Sequence, residues 1–450
     1  MNIPGLIFLL TTQFVAGRGI LALFNIKQKT LHTIVLAMLN GIMVISLVPM
    51  LIELAHIPIT KTNIILSISL ISIALFAIPF KRYNFSILQL KNKEYKLPSL
   101  YEVLFILFLV FIMIPSIWRT YYFPPNARDV LSGPEALAKY AIEEHTLNNS
   151  VFSMNLLEAT PNLLKPPFIS DLQIVYKLLV HPFGQVWLTI IVLCFLTWLY
   201  SLLREKLHPV LAGLITLLFI SIPELYGYTY ILLWDYSNMV FFFAGFYFLN
   251  QYFEHKQNSC FLYSCLMFGF ATFIRVETLI FAGLITPYIF FRLWQEKVSI
   301  QRVIINLVLF LAVPFIFYFI WIDIFVKYYL PPGLNLGAEL NFSPATSFFG
   351  WLSKINSRLI FGGINIALYG YFIYFFLLIL LIDAIFFRSF NKEARLLLFG
   401  ILVIYLGLPM LIYVTKWFNI TTAKRGLFKA FPLIALYMGN SALFLKLSRA

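Results

Sequence analysis

The residues of this chain with chemistry to offer are carboxylates and cations placed where apolar runs begin or end. Arg128-Asp129 follows Tyr121-Tyr122-Phe123-Pro124-Pro125-Asn126-Ala127, which itself follows an apolar run closing at Trp118-Arg119. The two prolines end a helix and turn the chain along the surface it has just reached. A carboxylate held at that corner, Asp129, is suited to take a proton from an attacking hydroxyl. Helix capping or a salt bridge to Arg128 is the plain structural role for the same side chain. Asn162-Leu163-Leu164-Lys165-Pro166-Pro167-Phe168 is a second rigid turn, offering Lys165 to an anionic head group or, by snorkelling, to water. Trp234-Asp235-Tyr236-Ser237-Asn238 opens another apolar run, with its acid where a helix dipole favours one. Arg275-Val276-Glu277 interrupts apolar sequence on both sides. Ions at membrane depth are costly and usually face a bundle interior or a water-filled cavity. Side chains two apart on a helix do not face each other, so Arg275 and Glu277 are expected to have separate partners. Lys416, Lys424, Arg425 and Lys429 crowd the entry to the last apolar run and call for an anion, with lipid phosphate the candidate.

Other chemistries find no foothold. There is no Gly-rich phosphate loop, HExxH, GxSxG or DxD-like metal pair. His32, His56, His145, His181, His208 and His255 are scattered singly, without ligand-like spacing. Cys194, Cys260 and Cys265 fall in apolar runs and make neither a metal site nor a disulfide framework. No metal ligands are assigned, no cofactor is implied, and a divalent metal has no support.

The elements that must position these groups are membrane spans. The chain has 450 residues, 61% of them hydrophobic and 12% charged, against about 25% charged in an ordinary soluble domain. Mean hydropathy is +0.87. Apolar windows predict spans at 4–25, 31–54, 63–80, 100–118, 185–202, 209–223, 236–251, 259–274, 278–291, 303–323, 364–387, 396–415 and 428–445. The pieces 259–274 and 278–291 are either two half-depth helices meeting at one membrane face or one bent helix. The N-terminus lacks a basic region ahead of its apolar segment, so no cleavable signal peptide is expected. The fold class is therefore all-α and polytopic, with about 11 to 13 spans. Between them, residues 119–184 form a long polar loop, and Glu135–Leu147 reads as an interfacial helix started by Pro134.

Net charge is +14. The cations lie in short loops, where they orient spans and meet lipid head groups, so nucleic acid is not an expected partner. Loops holding Lys27 and Lys29, Lys81 through Lys96, Arg204 and Lys206, Lys256, Arg292 through Arg302, Arg388 through Arg395, and Lys446 and Arg449 are assigned to the cytoplasm by the positive-inside rule. The opposite face then receives Asp129, Glu135, Glu143, Glu144, Glu158, Asp171, Glu224, Asp235, Glu277, Asp323 and Glu339, interleaved with interfacial tyrosines and tryptophans.

Three stretches resemble the GT-C fold, the integral-membrane glycosyltransferases of the mannosyltransferase and aminoarabinose-transferase type that use polyprenyl-phosphate-linked sugars. They are Arg128-Asp129 through Leu147, an acid opening a long outer loop with a surface helix; Tyr230–Leu249 with Phe268–Phe281, an acid-started span followed by short helices with a basic tip; and Lys424–Tyr437, a basic-to-proline entry into a late span. The resemblance implies an N-terminal extension of about three spans at 1–98 and a GT-C-like catalytic domain at 99–450. It implies a multi-pass protein of a bacterial inner or plasma membrane with its site facing outside. Asp129 would be the general base, with Arg128, Lys165, Asp235, Arg275, Glu277, Lys424 and Arg425 binding the donor. The acceptor, whether glycan, lipid or protein, is not specified. Ala127 and Val130 offer no second acid, so the family's carboxylate pair does not carry over. Three alternatives share the same cation-rich face: a flippase or transporter of lipid-linked glycans, a glycan polymerase or ligase, and a non-catalytic assembly subunit.

Overall fold

The computed structural model describes residues 2–82, 99–153, 165–329, 346–388, 390–414 and 420–449. Among these, every regular element is helical. Six helices are long and apolar enough to cross a membrane: Ile3–Leu23, Thr30–Leu54, Leu100–Tyr122, Val186–Arg204, Ile300–Val326 and Lys392–Val414. The chain packs into two compact units, one of residues 1–149 with 170–217 and the other of 150–169 with 218–450.

In the first unit, small residues set the helix packing. A Cβ on Gly17 would overlap the Ala37 carbonyl, and one on Gly41 would overlap the Gln13 carbonyl. The Ile3–Leu23 and Thr30–Ser46 backbones therefore approach at two points where neither can carry a side chain. Close approach through small residues is how helices associate where lipid removes the hydrophobic drive. The second unit solves the same problem with rings set against glycines: Phe268 against Gly245, Phe317 against Gly269, Phe246 against Gly400 and Phe281 against Gly407. That use accounts for part of the chain's 48 phenylalanines, which composition alone assigns to lipid-facing and interfacial positions.

Several expected spans are divided. The run at 259–274 and 278–291 is two helices, Asn258–Ile274 and Thr278–Gln295, separated by Arg275 in extended backbone (φ −148°, ψ 118°). The run 364–387 breaks at Gly370, whose φ of +58° only glycine adopts without strain. The run 428–445 breaks at Ser441, which leaves the helical region and caps the following helix from its hydroxyl to the Phe444 amide (3.1 Å).

The stretch 119–184 is less wet than its composition implies. The helix Leu100–Tyr122 ends at the two prolines as expected, and Pro134 occupies the first turn of Pro134–Glu144. That helix buries Leu137, Ala138 and Ala141. A further helix, Phe168–Leu179, is almost wholly interior, with Phe168, Ile169, Leu172, Ile174, Val175 and Tyr176 buried. Glu135 accepts from Gln173 (Nε2 to Oε2, 2.9 Å) and is ion-paired to Lys177. Glu53, at the end of Val48–Leu54, accepts from the Thr146 hydroxyl and the Leu147 amide, each at 2.7 Å. Two carboxylates thereby hold parts of this polar segment, Glu53 at Thr146-Leu147 and Glu135 at Gln173 and Lys177.

Substitution tests the glycine contact directly. Gly17→Leu is expected to lower the melting temperature in detergent, at a cost of about 1–3 kcal/mol from overpacking. Gly283→Leu is expected to leave it unchanged, because a Cβ at Gly283 meets nothing within 4 Å. Equal losses from both variants would show that close helix approach does not govern stability.

Candidate functional site

The chemistry-bearing residues of the second unit gather where the Trp234–His255 helix begins and Asn258–Ile274 ends. Leu233 is extended ahead of Trp234, which puts Asp235 in the first helical turn, beside the orphan amides. Arg275 leaves the helix at its cap and returns at Glu277, the N-cap of Thr278–Gln295. Asn238 ties the three segments together. Its Nδ2 donates to the Ala271 carbonyl (2.7 Å) and the Thr278 hydroxyl (2.9 Å).

Arg275 is the hub. Its Nη1 pairs with Asp235 Oδ1, and its Nε pairs with Glu277 Oε1 at 2.5 Å. Separate partners for Arg275 and Glu277 were the expectation from helical geometry, but Arg275 is not helical, and its extended backbone lets the two meet. Each also has a further partner: Asp235 for Arg275, and Lys429 at 3.6 Å for Glu277. Burial works against the guanidinium's charge, but Asp235 and Glu277 outweigh it and raise its pKa further above the ordinary arginine range. Lys429, 2% exposed, is buried beside Glu277. The Asp235 Oδ2 and Asn238 Oδ1 atoms are buried without a hydrogen-bond partner.

Around this hub lie the remaining cations. Lys424 pairs with Glu224 at 2.8 Å, so the anion that its surroundings demanded is supplied by the protein rather than by lipid alone. The Lys424 carbonyl accepts from the Tyr369 hydroxyl (2.9 Å). Arg425 lies over the Tyr228 ring, 5.9 Å from its centroid. Tyr228 sits edge-on to Phe428, is raised above the ordinary phenol range first by burial, and feels the charges of Asp235, Arg425, Glu224 and Arg275. Lys165 stands over the Trp234 ring at 4.5 Å, while Trp234 Nε1 donates to the Pro166 carbonyl (3.3 Å). The rigid Pro166-Pro167 turn therefore docks on the residue next to Asp235.

Six of the eight sequence-assigned site residues, Lys165, Asp235, Arg275, Glu277, Lys424 and Arg425, belong to this second unit. Arg128 and Asp129 belong to the first, where they form the opening turn of the short helix Arg128–Leu131, Arg128 exposed and Asp129 half-buried. Lys416, Glu158, Glu339 and the Asn162–Leu164 part of the proline turn lie outside the described residues. Sequence reasoning missed Lys429 as a partner of Glu277, and Tyr228 and Glu224 as members of the group. Its own signal, a cation cluster in want of an anion, pointed at Glu224 without naming it. Among the described residues no three His, Cys, Asp or Glu side chains gather as a metal site.

The arrangement has the parts of an oxyanion-recognition site. Arginine offers five donors in a fixed fork. The two ion pairs use Nε and Nη1, which orient the guanidinium, and its side chain remains 14% exposed. Comparisons with protein-family models, curated proteins and solved structures find no match.

Removing the hub's charge tests the arrangement. Arg275→Gln leaves buried Asp235 without its cation and Glu277 with Lys429 alone, and is expected to cost about 3–5 kcal/mol. Lys424→Gln breaks a half-exposed pair and is expected to cost about 1 kcal/mol or less. Thermal unfolding of both variants in the same detergent ranks them, and the reverse order would refute the central role given to Arg275.

Proposed function

We propose that the protein is an integral-membrane glycosyltransferase that moves a sugar from a polyprenyl-phosphate donor to an acceptor on the extracytoplasmic face. The observation supporting this reading is Arg275, fixed by Asp235 and Glu277 with its side chain 14% exposed, in a unit that also gathers Lys429, Lys424, Arg425 and Lys165. Such a group suits a phosphate monoester, and the apolar helices of membrane-crossing length suit its lipid tail. In the proposed reaction the acceptor oxygen attacks the anomeric carbon while its proton passes to a general base, the role that the resemblance gives to Asp129. The bond from that carbon to the phosphate oxygen breaks, and the lipid phosphate leaves with the electron pair. Cations fixed in advance stabilise the charge that grows on it. A single base suffices for a displacement that inverts the anomeric centre. Asp235 is not the base, because its carboxylate is engaged by Arg275 and buried.

The test is sugar transfer by purified protein in proteoliposomes, using a panel of radiolabelled polyprenyl-phosphate sugars. Asp129→Asn is expected to lower the rate by about 10²–10⁴-fold while leaving retention of polyprenyl phosphate intact. Arg275→Lys is expected to weaken retention, since an ammonium cannot reproduce the fork. A wild-type rate in Asp129→Asn removes the base assignment. Movement of the lipid across the bilayer by wild-type protein, with no transfer to any acceptor, would replace the enzyme with a flippase.

A further inference from the structure

The first unit holds a buried acid that the proposed reaction does not use. Asp171 lies in Phe168–Leu179, which is not among the six long apolar helices. Its side chain is fully buried, and neither carboxylate oxygen has a hydrogen-bond partner. An ionised carboxylate without donors is among the costliest groups a protein interior can hold, and the usual escape is to take up a proton.

No side chain of this helix, or of the two helices hydrogen-bonded to it, donates to Asp171. On its own helix, Lys177 is committed to Glu135, which also takes the Gln173 amide. From the helix Ile3–Leu23, Gln13 donates to the Tyr176 hydroxyl (2.5 Å), and its own carbonyl oxygen is buried without a partner. From Val186–Arg204, Trp187 donates to Gln173. The charge that does reach Asp171 is Glu53, a carboxylate whose own donors are Thr146 and Leu147. Another negative charge makes ionisation of Asp171 harder still. Burial first, and then Glu53, raise its pKa well above the ordinary carboxylate value.

We propose that Asp171 is a proton-binding site, a neutral carboxylic acid at physiological pH, and that its proton is required for Phe168–Leu179 to stay packed as it is. Loss of that proton drives the carboxylate toward water and unseats the helix. The sign follows from linkage. From the unfolded carboxylate value of about 3.9 up to the folded one, the native state holds the extra proton. Stability at this residue is therefore greatest in acid, declines as pH rises across that interval, and levels off above the folded pKa.

Infrared spectroscopy of protein in lipid reads the site directly. Wild type at neutral pH is expected to show a protonated-carboxyl carbonyl band that Asp171→Asn lacks, and the melting temperature of Asp171→Asn is expected to lose the decline with rising pH. A spectrum unchanged by the substitution overturns the proposal. So does a band that emerges only when sodium is withdrawn, which would mean that a metal cation occupies the place of the proton. Should Asp171→Asn fail to fold, Glu53→Gln keeps the question open to experiment, because its amide oxygen can accept from the Leu147 amide while its NH2 donates to the Thr146 hydroxyl. Removing that like charge is expected to move the titration midpoint of the wild-type band down by about one pH unit. An unmoved midpoint counts against Asp171 as its source.

Discussion

A guanidinium cannot be sequestered from water without carboxylates set to receive it, and in the second unit much of the local architecture meets that demand. Arg275 sits at the end of one helix because the chain must leave helical geometry for its side chain to meet Glu277. The Trp234–His255 helix must start where it does so that Asp235 falls in its first turn, opposite that guanidinium. Asn238, one turn further on, fixes the spacing by bonding both the helix that ends and the helix that begins. Lys429 then adds a second cation on the same Glu277 oxygen, Oε1, at 3.6 Å. Each position is set by the electrostatic need of the one before it. A low-dielectric interior makes an unmet need of this kind far more costly than any local helix preference.

The first unit answers a similar demand differently. Glu53 and Glu135 are each satisfied by donors brought from elsewhere in the sequence, and both serve as anchors for the polar stretch that follows Leu100–Tyr122. Asp171 receives no donor on either oxygen. One fold thus contains both solutions to the burial of an acid: donation of hydrogen bonds to the charge, and abolition of the charge itself.

The sequence was a good guide to what apolar runs and prolines control. Helical class, the stop at Pro124-Pro125, the start at Pro134 and the first-turn position of Asp235 all follow from local rules and are found. Arg275-Val276-Glu277 stands out in the sequence because a charge flanked by apolar residues is expensive wherever the chain folds, and the structure pairs both of its charges. Its limits were non-local. Helical spacing argued against an Arg275–Glu277 contact, and only the extended backbone at 275 allows it. Glu224 was invisible as the partner of Lys424 because 200 residues separate them. Phe168–Leu179 was lost inside a segment whose average polarity hid one strongly apolar face. Gly370 and Ser441 break apolar runs for reasons of backbone geometry that hydropathy does not register.

The hub has a further property that follows from its membership. Asp235 and Glu277 contribute two negative charges, Arg275 and Lys429 two positive ones. The sum is zero, so seen from more than a few ångströms away their fields largely cancel. A ligand of the kind proposed would therefore be recognised by these four groups on contact, and not drawn in by them from a distance. Diffusion along the bilayer, rather than attraction through water, would then set how often a visitor arrives.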